Sequence, residues 1–197
     1  MSMDSDGDGY YDVLSGFQKS IRGSDVDAAL YYLGIMIEAN DMDSIERRLL
    51  VTAYEDIGLG NPAAVARCVQ AIDAAKRVGF PEGRIPLAMA IIDLCLSPKS
   101  KSAESAIDAA MSVLRHTSYK VPDYLRFTPV NMKEEDQYDY NRSDIWNQIQ
   151  YLPDALKNTQ FYHPQMNSSY EKVLAQNLEK LRKVKRTSNL AALKKKR

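Results

Sequence analysis

The feature that most constrains the possible fold of this sequence is the regular occurrence of helix start and stop signals in residues 10–115. Apolar residues recur there at the three- and four-residue spacing of one helix face, and several of these stretches end at a glycine or a proline. Asn61-Pro62 illustrates the pattern, because asparagine is a favoured N-cap and proline is tolerated at the first helical position. The sequence therefore predicts an all-α chain in which residues 10–115 form a multi-helix bundle.

Capping residues and apolar stripes predict where individual helices begin and which way they face. Ser24 and Asp43 are each followed three residues later by a carboxylate, so each is predicted to open a helix with a capping box. Gly58 is predicted to end the second of these helices in the left-handed conformation. The almost wholly apolar run at 87–96 is predicted to lie at the centre of the bundle. The helix at 101–115 is predicted to turn three side chains inward, namely Ile107, Met111 and Leu114.

The composition changes after the predicted bundle. Residues 117–170 contain seven of the 12 tyrosines, the only tryptophan and four of the eight prolines, but no glycine. Flexible linkers have the opposite composition, so 117–167 is predicted to be an irregular but ordered segment with one short helix near 142–150. A C-terminal helix is predicted over 168–186. The irregular segment is expected to dock on the helices through its rings, chiefly Tyr119, Tyr124, Phe127, Trp146, Tyr151 and Phe161.

Charge is balanced over the whole chain but unevenly distributed along it. There are 26 basic and 26 acidic residues, yet residues 182–197 contain eight basic residues and no acidic one. We expect this tail either to be an ordinary solvated end or to contact DNA weakly and without sequence preference, because no aromatic residue after Tyr170 offers a stacking surface for bases. The candidate phosphate contacts are Arg182, Lys183, Lys185, Arg186, Lys194, Lys195, Lys196 and Arg197.

Composition and helix signals together predict the domain organisation of the chain. Residues 1–9 are expected to be a flexible acidic lead-in, 10–186 a single helical domain, and 187–197 a disordered basic tail. No apolar run approaches the length that a membrane span needs. No membrane partner is therefore expected. The two cysteines lie inside apolar runs without CxxC spacing, which favours a reduced, cytoplasmic protein.

Motifs that carry catalytic or metal chemistry are largely missing from the sequence. Residues 4–9 match the first half of a calcium loop, but Ser15 stands where the bidentate carboxylate is needed. The Lys-Ser pairs at 19–20 and 99–100 resemble the end of a nucleotide loop, yet neither follows the glycines that wrap a phosphate. No metal, no nucleotide and no catalytic residue is therefore predicted. The only soft or imidazole ligands are widely spaced, at Cys68, Cys95, His116 and His163.

A series of short motifs resembles one protein family. The stretch YDVLSGFQKSIRGSD at 11–25, followed by VDAALYYL, is similar to the region just after the ATPase core of the RarA/MgsA family. These are clamp-loader-related AAA+ ATPases, or replication-associated recombination proteins, with the Werner-helicase-interacting protein among their eukaryotic relatives. Further matches follow in order: EDIG at 55–58, LSPKS at 96–100, VP at 121–122 with LR at 125–126, YLP at 151–153, and FY at 161–162 with Pro164.

The resemblance spans about residues 10–186 and carries expectations for individual residues. The Gly-free, acidic stretch from Asn131 to Gln150 departs from the family pattern, in which a Gly-rich segment precedes the YLP motif. The nucleotide-binding residues of the family lie upstream of this sequence, so the resemblance implies no cofactor here and ATP with magnesium in the upstream module. The positions it marks as structural or interface residues are Lys19, Ser20, Arg22, Asp25, Glu55, Asp56, Gly58, Pro98 and Lys99.

For function, the resemblance implies an oligomerisation domain similar to the collar of clamp loaders. Such a domain holds ATPase modules together, as a homotetramer, in a protein that acts in replication-fork maintenance, recombination and repair near the nucleoid. Replication proteins such as single-stranded-DNA-binding protein are the implied partners. The residues alone leave two alternatives open, a free-standing helical-repeat adaptor and a small α-helical enzyme. The echo of 71–75 at 106–110, a spacing of 35 residues, is the feature that keeps the adaptor open.

Overall fold

The computed structural model describes residues 8–196. No β-strand occurs in that range, so the prediction of an all-α fold is confirmed. The chain divides into two compact units where the sequence predicted one domain. The first unit is the described chain up to Ser105 together with Pro164–Lys172, and the second is Ala106–His163 together with the chain from Val173 onward. Residues 1–7, which hold most of the predicted flexible lead-in at 1–9 and of the calcium-like stretch at 4–9, lie outside the described residues, and residues 8–9 already belong to the first helix.

Five helices build the first unit. In chain order they are α1 (Asp8–Arg22), α2 (Val26–Glu38), α3 (Met42–Thr52), α4 (Pro62–Val78) and α5 (Arg84–Cys95). Two further helices begin in this unit and continue into the second, α6 (Ser102–His116) and α7 (Ser169–Arg182). The five helices and the turn after α3 share one core of buried apolar side chains. Its largest fully buried members are Phe17, Ile21, Met36, Ile45, Leu49, Ile57, Ile72, Leu87, Ile91 and Leu94.

The composition of α5 had suggested a helix buried on all sides. The structure buries only one of its faces. Leu87, Ile91 and Leu94 face the core, whereas Ile85 and Met89 are exposed to solvent. Composition reports how apolar a helix is but not what covers each of its faces. The prediction that the run at 87–96 lies at the centre of the bundle is therefore right for one face only.

The helix caps show which of several neighbouring polar residues is used. Ser24 has a positive φ of 60° and Asp25 caps α2, accepting a hydrogen bond from the amide of Ala28. Asp41, rather than Asp43, caps α3 in the same way. The predicted N-cap at Asn61 is confirmed, with its side chain accepting from Ala64. Sequence spacing alone does not separate two capping residues that lie one or two positions apart.

Helix α6 carries an apolar stripe that the fold leaves uncovered. Ile107, Met111 and Leu114 were predicted to point inward, but all three are exposed. Within the second unit α6 has no buried residue, since its only buried side chain, Ser102, belongs to the first unit. The i, i+4, i+7 spacing correctly predicted an apolar face on α6, but the prediction that this face is buried is wrong.

The second unit is built from short 3-10 turns around a small core. These turns lie at Asp123–Leu125, Glu134–Asp136, Ser143–Gln148 and Asp154–Leu156. The one at Ser143–Gln148 corresponds to the short helix predicted near 142–150. The core joins this segment to a last helix, α8 (Leu190–Lys195), through Tyr124, Ile145, Ile149, Leu190 and Leu193.

The C-terminal segment is therefore ordered over its described residues, and the predicted disorder of 187–197 is wrong there. The amide of Gln150 donates to the Thr187 carbonyl at 2.9 Å, and the amide of Thr187 donates to the Gln148 carbonyl at 2.8 Å. Of the rings predicted to dock on the helices, Tyr124 is buried in the small core of the second unit, whereas Phe127, Trp146 and Tyr151 are exposed. No helix within residues 8–196 is long and apolar enough to span a bilayer.

Candidate functional site

Three separate stretches of the sequence meet in the first unit, and two of the meeting residues are predicted motif positions. The Nε of Arg22 donates to Oδ1 of Asp56 at 2.9 Å, and the Nζ of Lys101 lies 3.3 Å from the same oxygen. The amide of Ser100 donates to the Asp56 carbonyl at 2.9 Å. Because Asp56 is only 1% exposed, a buried carboxylate connects the end of α1 with the segment between α5 and α6. We call Arg22, Asp56, Ser100 and Lys101 the Asp56 cluster.

The backbone around Asp56 departs from α-helix to reach this position. Ala53–Ile57 forms a π-helical turn directly after α3, a conformation that is frequent at functional sites. Gly58 follows with the predicted positive φ, 45°, but its ψ of −122° is not that of the left-handed helical conformation. At Gly60 a Cβ atom would lie 2.3 Å from the carbonyl oxygen of Pro98. No side chain fits at that distance, so glycine is what allows this turn to pack against the loop after α5.

Lys99 closes the C-terminal end of α5. Its Nζ lies 2.6–3.3 Å from three carbonyl oxygens of the last turn and the following loop, and donates to the Oγ of Ser24 at 2.9 Å. A cation at this end of a helix satisfies free carbonyl groups and interacts favourably with the helix dipole. Burial lowers the pKa of Lys99 from its ordinary value. With this amine and the Ser100 amide both engaged, the Lys-Ser pair is not arranged as a phosphate cradle.

A second buried carboxylate belongs to the same unit. Glu171, in the first turn of α7, accepts hydrogen bonds from the hydroxyls of Ser100 and Ser102, each at 2.5 Å. The side-chain amide of Asn167 donates to the Lys99 carbonyl at 3.2 Å. The loop after α5 is therefore held from two directions, by Asp56 on one side and by the start of α7 on the other.

The remaining motif positions support the connections between elements. The Ser20 hydroxyl donates to the Gly16 carbonyl at 2.5 Å, and the Ser20 carbonyl accepts the amide of Asp25, the N-cap of α2, at 2.9 Å. Lys19 is exposed and Glu55 is half-buried on the π-helical turn. The structure thus gathers Arg22, Asp56, Gly58, Pro98 and Lys99 into one place and leaves Lys19 at the surface.

The chemistry that this arrangement supports is ion pairing and hydrogen bonding. Burial raises the pKa of the Cys68 thiol to about 12 and that of the Cys95 thiol to about 11, so both thiols stay neutral at physiological pH. Within residues 8–196 no group of three or more His, Cys, Asp or Glu side chains could hold a metal ion. Through its ion pairs and hydrogen bonds, the Asp56 cluster joins the end of α1, the π-helical turn and the segment before α6.

The cations of the C-terminal segment divide into two sets. Arg182 and Arg186 donate to the carbonyl oxygens of Tyr162 and Ile149 at 2.7 and 3.0 Å, and Lys194 donates to those of Glu134 and Gln137. The second set projects into solvent, and it comprises Lys183, Lys185, Lys195 and Lys196. Arg197 lies outside the described residues.

An open groove of about 680 Å³ occupies the second unit. Val121 and Pro122 line one part of it and Pro153 another, so two further family motifs meet here. The hydroxyl of Tyr124 donates to the Gln150 carbonyl at 2.6 Å, and burial raises the pKa of this tyrosine. Residues of two family motifs therefore line this groove, next to the hydrogen bond between Tyr124 and Gln150.

Three residues of the site were not singled out from the sequence. Lys101 follows the LSPKS motif directly, so its place beside the cluster could have been suspected. Ser102 and Glu171 carried no signal, because a glutamate on an amphipathic helix normally faces solvent. Only the pairing of α7 with the loop after α5 shows that Glu171 is buried.

Comparison with known proteins defines the class to which this fold and site belong. A family model described as "MgsA AAA+ ATPase C terminal" matches residues 23–182. These residues contain the buried Glu171, most of the Asp56 cluster and most of the residues that line the groove of the second unit. The chain belongs to this family of AAA+ ATPase C-terminal regions.

Named relatives agree with the family model. The chain is 52% identical to replication-associated recombination protein A of Bacillus subtilis over 191 residues, which is 93% of this chain and 45% of that protein. It is 38% identical to the protein of the same name from Haemophilus influenzae and to an AAA domain-containing protein of Mycobacterium tuberculosis, covering 42% of each. The chain thus spans less than half the length of these relatives.

Proposed function

We propose that this chain is the assembly domain of an AAA+ ATPase and joins copies of itself into a homotetramer. The observation that carries the proposal is an apolar stripe on the outer face of α5. Its four side chains recur at intervals of four, three and four residues and are 43–70% exposed, namely Ile85, Met89, Ile92 and Leu96. An exposed stripe with this spacing is the kind of surface that a second helix covers.

A second apolar stripe supports a tetramer rather than a dimer. Ile107, Met111 and Leu114 form it on α6. Closed tetramers with dihedral symmetry need two different self-complementary surfaces, whereas a simple dimer needs one. The chain offers one such surface on each unit.

The biological setting follows from the relatives that share this region. The relatives from Bacillus subtilis and Haemophilus influenzae are named for replication-associated recombination. We propose that this chain serves the same process, including fork maintenance and repair, in the cytoplasm near the nucleoid. ATP and magnesium would be bound by a module upstream of it, and replication proteins such as single-stranded-DNA-binding protein would be its partners.

The mass of the chain in solution tests the proposal. Light scattering should return roughly 89 kDa, four times the 22.2 kDa chain. Met89→Lys or Met111→Lys should each reduce the mass to roughly 44 kDa by removing one of two surfaces. Val51→Lys is the control, because Val51 is exposed on α3 outside both stripes. A wild-type mass of about 22 kDa would reject the tetramer and favour the free-standing adaptor.

A further inference from the structure

The two units have opposite net charge although the whole chain is neutral. The second unit contains 15 basic and nine acidic residues, and the remainder of the chain contains 11 basic and 17 acidic residues. Three of the acidic residues of the second unit lie together in the turn Glu134–Asp136. A surplus of six positive charges on a unit of this size attracts a polyanion at moderate ionic strength.

The same unit carries several aromatic rings close to one another. The rings of Tyr138 and Trp146 are stacked, with centroids 6.0 Å apart and planes at 14°. Tyr140 meets Tyr138 edge to face at 5.1 Å. The guanidinium of Arg186 lies 5.5 Å from the ring centroid of Tyr151. We call Tyr138, Tyr140, Trp146, Tyr151 and Arg186 the aromatic array.

The rings of the array are fixed in position yet open to solvent. The indole nitrogen of Trp146 donates to the Asp139 carbonyl at 3.2 Å, and the hydroxyl of Tyr151 donates to the Trp146 carbonyl at 2.8 Å. Tyr140 is 82% exposed, and both Trp146 and Tyr151 are also exposed. Trp146 and Tyr151 are thus held by hydrogen bonds while they remain exposed, and side chains that are already fixed lose little entropy when a flat ligand stacks on them.

Cations are held beside the array. The Nη1 and Nη2 atoms of Arg142 donate to the carbonyl oxygens of Lys194 and Lys196 at 2.9 and 3.1 Å. This contact keeps the end of α8 next to the segment that carries Tyr140. The charge of Arg142 itself is balanced by Asp144, which lies 3.0 Å away. Lys195 and Lys196 at the end of α8 are exposed, and so is Lys185 beside Arg186. The ammonium groups of these three lysines can therefore contact an anion.

We propose that the aromatic array binds single-stranded DNA. Bases stack on Tyr140, Trp146 and Tyr151, while phosphates contact Lys185, Lys195 and Lys196. Stacked rings next to cations are the combination that single-strand binding surfaces use, and every base has a face that can stack. The choice of DNA as the polymer rests on the proposed function, whereas the stacking surface does not. A contact of this kind differs from a basic tail that touches phosphate alone.

The single tryptophan makes the test direct, because Trp146 is the only source of indole fluorescence in the chain. We would titrate the full chain with an oligothymidylate of about 20 nucleotides, which is long enough to cover one such surface. We expect saturable quenching, with log affinity falling against log salt by about 0.7 for each phosphate contacted. A duplex of the same length should leave the Trp146 emission nearly unchanged.

Variants separate stacking from charge. Tyr140→Ala should weaken binding about tenfold, and Tyr140→Phe, which keeps the ring, should restore it. The double change Lys185→Ala and Lys196→Ala should make the salt dependence shallower. Tyr31→Ala and Arg47→Ala change an exposed tyrosine and an exposed arginine of the first unit, and should bind like the wild type.

Three results would overturn the proposal. The first is a titration without quenching, which is expected if the array binds a protein partner instead. The second is equal binding and quenching by the duplex. The third is an unchanged affinity in a folded Tyr140→Ala variant. The mass of the chain would be measured in the same buffer. A tetramer that gives a flat titration would reject the DNA surface but leave the proposed assembly function intact. A monomer that shows quenching would reject the assembly function but support the DNA surface.

Discussion

At the scale of single residues, the Asp56 cluster contains an unusually placed carboxylate. Oδ1 of Asp56 is shared by Arg22 and Lys101, while Oδ2 is buried without a hydrogen-bond partner among the described residues. Taking a carboxylate out of water costs free energy that only its partners can offset. The stability of the first unit should therefore depend strongly on the cations around Asp56.

Replacement of Arg22 tests this dependence. Arg22→Ala leaves the buried carboxylate with Lys101 alone, and should lower the free energy of unfolding by about 1–3 kcal/mol. The matched control is Arg67→Ala, which removes a solvent-screened ion pair with Asp93 and should change the free energy of unfolding much less than Arg22→Ala does. Urea denaturation followed by circular dichroism measures both. Equal losses in the two variants would show that the burial of Asp56 has no energetic consequence.

Asp41 provides a prediction for acid stability. Burial alone would raise the pKa of Asp41, but hydrogen bonds from the Tyr10 hydroxyl and from Ser44 hold it below its usual value. A carboxyl group with a lower pKa in the folded state stabilises the protein above its unfolded pKa, and this stability is lost as the pH falls through the folded pKa.

The expected loss therefore lies below about pH 4, the ordinary pKa of an aspartate. Asp41→Asn keeps a good N-cap but cannot titrate, so its unfolding free energy should fall less steeply with acid than that of the wild type. Tyr10→Phe removes one hydrogen bond and should produce an intermediate slope. Urea titrations at a series of pH values give these slopes, and an unchanged slope in Asp41→Asn would assign the acid dependence to other groups.

At the scale of elements, helix α8 illustrates a segment whose order comes from packing. The helix has only six residues, too short to persist by itself. Leu190 and Leu193 are buried against Ile149 and its neighbours, and Asn189 caps the first turn by accepting from Ala192. This basic stretch was predicted to be disordered, and the two leucines that bury it were not recognised. We call Leu190 and Leu193 the anchors of α8.

Removal of one anchor should weaken the second unit. Leu190→Ala leaves a cavity in a small core and should cost about 2–5 kcal/mol. Trp146 belongs to the same unit, so its emission reports the local transition during urea denaturation. Val130→Ala, at an exposed position of that unit, should change stability by less than about 0.5 kcal/mol. A Leu190→Ala transition that coincides with that of the wild type would mean that α8 contributes nothing to this core.

At the scale of the whole molecule, the fold distributes charge and apolar surface in a way that a linear sequence does not display. The chain has no net charge, but its division into two units separates 17 acidic residues from 15 basic ones. The separation depends on the assignment of 164–172 to the first unit and of the chain from 173 to the second. Each unit also exposes its own apolar stripe, one on α5 and one on α6.

The sequence by itself determined the all-α class, the caps at Asn61 and Gly58, the family, and the presence of an apolar face on α5 and α6. These properties depend on interactions within a few residues, or on motifs that are read directly. Only the tertiary structure decided which faces are covered, that Glu171 and Asp56 are buried, and that 190–195 is ordered. Each of these depends on residues far apart in the chain, such as Arg22 with Asp56 or Ile149 with Leu190, and local spacing carries no information about which distant partner arrives.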